Sequence, residues 1–154
     1  MSIYNTPLEE RFGEKLEELR EGKNMTREQL ADQVGLTARH IAALERGERR
    51  PTLNTMEKLL RAQFPDLSAK YVHQFALLFL DLQKKCDSAE ISTKALDLRG
   101  MLDALRLIRR GIPAGAALDM GITNKAFDSY EQGLIRDVIA ARIPAKLDAG
   151  KLFA

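Results

Sequence analysis

The chain has 154 residues, enough for one domain or for two small ones with modest cores. Hydrophobic residues at 45% beside charged residues at 30% are the balance of a soluble globular protein, and a net charge of +2 gives no bulk attraction to a polyanion. Cys86 stands alone, which excludes a disulfide framework within one chain and fits a reducing cytoplasm.

The opening, "MSIYNTPLEERFGEKLEELR", is acidic and amphipathic and does not have the pattern of a signal peptide. Leu8, Phe12, Leu16 and Leu19 form a stripe at helical spacing that ends before "EGKN". Thr26 then caps a short helix, with Gln29 three residues on as in a capping box. Leu30, Ala31 and Val34 are its inner face, and Gly35 is suited to the left-handed conformation that ends a helix. Leu36 tucks inward and Thr37 caps the next helix. Two helices joined through so tight a corner have the helix-turn-helix arrangement.

The second helix, from Thr37 to Gly47, has two unlike sides. At about 100° per residue, Ile41 and Leu44 point one way while Arg39, Ala43 and Arg46 point roughly opposite. A helix held from behind, with small and basic residues outward, is shaped to enter a DNA major groove. Alanine there permits close approach, and Arg39 can reach guanine O6 and N7 with two parallel hydrogen bonds. Taken singly, these arginines are ordinary solvated residues; the motif around them makes the groove reading the better one. In "ERGERRP", Gly47 turns the chain and leaves Arg49 and Arg50 projecting, although Glu48 among them suits a merely solubilising loop as well.

Residues 9–62, and most clearly "MTREQLADQVGLTARHIAALERGERRPTLNTMEKLL" at 25–60, resemble the Cro/C1-type (XRE) helix-turn-helix domain. Gln29, Leu30, Ala31, Gly35, Leu36, Thr37, Ile41, Leu44, Glu45, Gly47 and Pro51 carry the resemblance in order and spacing. It implies an all-α chain that begins with a five-helix, lambda-repressor-like domain over 1–65. It also implies base reading by Thr37, Ala38, Arg39, His40 and Ala43, and phosphate contacts from Arg27, Arg46, Arg49 and Arg50. Glu45 lies near the inward edge, where an unpaired carboxylate is costly. The resemblance supplies Arg20 as its structural ion-pair partner. His40 flanks the outer face, within reach of a base or a phosphate, and is equally an ordinary surface histidine.

Thr52 caps the next helix, which buries Leu53, Met56, Leu59 and Leu60 and ends at Pro65. From 66 the character changes. "DLSAKYVHQFALLFLDLQKK" is apolar over more than half its circumference, so it is buried on several sides, within its own domain or against another subunit. Its longest apolar run, "FALLFL", is too short to span a bilayer. His73 has no nearby Cys or His with which to hold a metal. A polar connection falls near 84–90, within a second helical unit set at 66–150. "STKALDLRGMLDALRLIRRGIP" reads as one helix stopped by Gly111, and Pro113 opens a small helix. Asp128 then caps a closing helix that Pro144 ends, leaving a loose tail.

With Ser92-Thr93, the Leu/Ile stripe, "RGIP" and the Asp-led closing helix, this half resembles the helical lid of MoxR/CbbQ-type AAA+ ATPases. No G-x-x-x-x-G-K-[ST] occurs, so the resemblance implies a packing or docking module without a motor. One Cys and two distant His make no standard metal cluster, and no nucleophile motif appears. The chain therefore reads as no enzyme, with no cofactor and no metal. The leading expectation is a cytoplasmic regulator binding double-stranded DNA as a homodimer, with no membrane partner. The competing one is an adaptor that docks a protein partner, such as an ATPase, through residues 66–150.

Overall fold

The structure is a computed structural model that describes residues 7–153. Local capping chemistry sets its first corner. Thr26 Oγ1 accepts from the Gln29 N–H at 3.1 Å while Gln29 Oε1 accepts from the Thr26 N–H at 2.8 Å, closing the capping box that begins α2 (Arg27–Val34). Gly35 ends the helix at φ 79°, a left-handed value that a side chain disfavours. Thr37 Oγ1 then takes the His40 N–H at 3.0 Å and opens α3 (Ala38–Glu45). Before this pair comes α1 (Leu8–Gly22), and after it α4 (Leu53–Gln63), capped by Thr52.

Only four helices, α1 to α4, lie within the described part of the five-helix domain expected over 1–65; the next, α5 (Ala69–Asp87), begins beyond that boundary and packs on both sides of it. One side packs on α4, and the other meets α8 (Ser129–Arg142), where Arg142 Nε donates to Asp81 Oδ2 at 2.8 Å. Phe79 of α5 stands edge-on to Phe12 of α1, with ring centroids 5.8 Å apart. Beyond it, α6 (Leu98–Arg109) packs against α1 and against α7 (Ala114–Gly121). Buried apolar side chains form one cluster running from Leu8 to Leu152, so the core has no gap at the expected boundary between 65 and 66. The described residues are all-α, with no strand beyond a single antiparallel bridge between Leu67 and Phe153.

Three expectations are corrected. The connection placed at 84–90 starts at Ser88, because α5 stays helical through Asp87. The long helix expected from Ser92 begins only at Leu98: a 3-10 turn covers Thr93–Ala95, and Asp97 breaks the run by capping α6, its Oδ1 accepting from the Gly100 N–H at 3.0 Å. The tail after Pro144 is docked. Leu147 and Ala145 accept from the N–H groups of Ala114 and Gly115, and α9 (Ala149–Leu152) buries Leu152 against the core. Arg109 lies over the Phe153 ring, 4.5 Å from its centroid, and pairs with Asp66, clasping that end to the α4–α5 turn.

Cys86 lies at the joint where α5 gives way to the second half, its Sγ 3.5 Å from the Ser92 carbonyl. Burial pushes its thiol up to about 12.

Candidate nucleic-acid interface

The face of α3 that meets the bundle is fixed in three ways. Ile41 and Leu44 are fully buried. Gly13 of α1 lies directly against the backbone of α3, where a Cβ would overlap the carbonyl oxygens of Leu44 and Glu45. The Glu45 carboxylate is completely buried and doubly held. Arg20 donates to it through Nε at 2.7 Å and Nη2 at 3.1 Å, and Arg27 donates through Nε at 3.0 Å. Arg20 Nη1 also reaches the Met25 carbonyl at 3.0 Å, which ties the turn before α2 to the same guanidinium. A buried acid so fully paired belongs to the scaffold.

Opposite that anchored side, Thr37, Arg39 and Arg46 are exposed, and Ala38, His40 and Ala43 are half-buried. Thr37, Arg39, His40, Ala43, Arg46 and Arg49 border one concavity of about 420 Å³. Among the described residues, the side chains of Arg39, Arg46 and Arg49 make neither ion pair nor hydrogen bond, so their donors face solvent. Burial lowers the pKa of His40, and the positive charges of Arg49 and Lys58 lower it further, so the imidazole is neutral at neutral pH. Positive charge thus gathers over the outward row although the whole chain is nearly neutral.

Two residues expected at phosphate are engaged elsewhere. Arg27 spends its Nε on Glu45, so it serves the scaffold first. Arg50 is more fully engaged: its guanidinium is held on every nitrogen, by Glu9 and by both oxygens of Asp87. Neither carboxylate was visible as a partner in the sequence, because each lies about 40 residues away along the chain. Lys58 was also missed. It donates to the Gly35 carbonyl at 3.1 Å, bringing a cation to the corner between α2 and α3. Its outward place on α4, beside the inward Leu59, was the available signal.

Among the described residues no group of three or more His, Cys, Asp or Glu is placed to hold a metal ion. Nor is any helix among them long and apolar enough to cross a membrane. No curated protein and no solved structure significantly matches the chain. A family model described as helix-turn-helix does match, over residues 16–62, the stretch from the middle of α1 to the last turn of α4. The capped corner, the buried back of α3 and its unpaired arginines all lie within that match: residues 16–62 form a DNA-binding helix-turn-helix domain of the Cro/C1 (XRE) type.

Proposed function

We propose that this protein is a sequence-specific transcriptional regulator that sets α3 into the major groove and acts as a homodimer on a palindromic operator. One observation carries the reading: Arg39 and Arg46 face solvent, with half-buried Ala43 between them, along a helix whose other side is pinned by Gly13, Ile41, Leu44 and the Glu45 ion pairs. Under it, Arg39 reads base edges, with Thr37, Ala38, His40 and Ala43 beside it. Arg46 and Arg49 hold phosphate, which supplies most of the affinity. The chain works by binding and not by catalysis.

Dimerisation follows from the smallness of the contact. One such helix touches only a few base pairs, and two copies spaced by about 34 Å read a two-fold site with far higher specificity. Phe127 (90% exposed), Tyr130 (77%) and Met120 (53%) support an interface in the second half, since large apolar side chains so open to water favour burial against another surface. The same three side chains favour the alternative, an adaptor that docks a different protein through residues 66–150. Sedimentation of the purified chain separates the two, because only the first reading gives a dimer without an added partner.

Selection of bound fragments from genomic DNA, repeated at several salt concentrations, tests the function. The regulator enriches a two-fold sequence, and its affinity falls steeply with salt. Arg39→Ala relaxes base preference; Arg49→Ala weakens all sequences alike and lowers the salt slope by about one. Equal effects of both on every sequence would remove the division of roles.

A further inference from the structure

The loop after α3 carries two arginines side by side in opposite states. Arg49 is exposed and unpaired among the described residues. Arg50 is fully occupied: its Nε donates to Glu9 Oε1 of α1, and its Nη1 and Nη2 donate to Asp87 Oδ2 and Oδ1 at 2.8 Å each. We propose that Glu9, Arg50 and Asp87 form a self-masking latch, in which two carboxylates of the chain hold the guanidinium that DNA phosphate would otherwise take. The proposal rests on the DNA-binding reading above.

The chemistry makes the two partners mutually exclusive. Carboxylate and phosphate both offer a guanidinium a pair of oxygens for parallel N–H···O bonds, and Asp87 already fills the Nη1–Nη2 edge in that way. Exposure makes the exchange reversible. The side chains of Arg50 (43% exposed), Glu9 (30%) and Asp87 (47%) all reach water, where ion pairs are screened and easily traded. The Glu45 carboxylate, at 0%, shows what a scaffold pair looks like in the same domain. Position supplies a further reason. Asp87 is the last residue of α5, at the negative end of the helix dipole, where a carboxylate does not help the helix and its favourable partner is Arg50. That residue also borders the turn into the second half, so whatever shifts the end of α5 acts on a cation of the DNA-facing loop.

The test measures binding of the full chain to sheared genomic DNA of mixed sequence, whose affinity is set by phosphate contacts, across a salt series. Asp87→Asn and Glu9→Gln are compared with Arg50→Ala and with each pairwise combination. The latch predicts that Asp87→Asn tightens binding roughly three- to tenfold at low salt and steepens the salt slope by about one. In the Arg50→Ala background the same substitution gains nothing. A gain that persists without Arg50 reflects general loss of negative charge and overturns the proposal. So does unchanged or weaker binding by both carboxylate variants while they melt like the parent chain. If Arg39→Ala and Arg49→Ala still act as described, the DNA-binding reading survives that failure; if the parent chain binds no DNA at any salt, both fall.

Discussion

Asp97 is pulled in opposite directions by its surroundings. Burial raises its pKa, but the hydrogen bond from Lys125 and the Gly100 N–H outweigh that and hold the carboxyl below its ordinary 3.8. The sign of the linkage follows. A carboxyl with a depressed folded-state pKa adds stability that is fully present above 3.8 and is lost as pH falls through the folded value. Asp97→Asn keeps a capping side chain for α6 and removes the charge that Lys125 meets. It is expected to cost about 1–2 kcal/mol at neutral pH. Denaturation of the two proteins across the acid range checks this, since the gap between them must narrow below the ordinary carboxylate pKa and close as pH falls through the depressed folded-state value. A gap of constant size would mean that Lys125 contributes nothing through charge.

At the scale of elements, the placement of α3 depends on the backbone of α1 as much as on side chains. The overlap that a Cβ at Gly13 would make is with main-chain oxygens of Leu44 and Glu45, so no rotamer change relieves it and the two helices must part. Gly13→Ala is therefore expected to lose about 1–3 kcal/mol and to weaken DNA binding even where the chain remains folded. Melting and binding measured on one preparation would show it; an unaltered melting temperature would contradict the close approach. Helix ends were largely legible in the sequence for a local reason. Thr26 with Gln29, Thr37 with His40, Thr52 with Thr55 and Asp128 with Glu131 each act across three residues. Asp97 escaped because it lies within a continuous Leu-rich stripe that gave no sign of a break. Arg20 and Glu45 do meet, but only the family resemblance pointed to that pair, since 25 residues separate them. Arg50 shows the limit of such transfer. The family pattern marks its position, while Glu9 and Asp87 belong to this chain's own tertiary packing.

For the whole molecule, the continuity of the core matters more than the division into a recognised domain and a remainder. Phe12 on Phe79, α6 on α1, and the docked tail against the α4–α5 turn join the two halves. The tail's docking was invisible in sequence, because Leu152 and Phe153 show no periodic stripe and meet Leu67 and Ser68 only through the fold. Heating or denaturant is expected to give a single cooperative transition, identical by helix signal and by reactivity of Cys86. Two separated transitions would show that the halves melt independently. Because Cys86 is the chain's single thiol, and is half-buried at the joint beside Asp87, it is a native gauge of that joint. Any duplex, partner or small ligand that loosens the joint becomes readable as faster colour development with a thiol dye, with no label introduced by mutation.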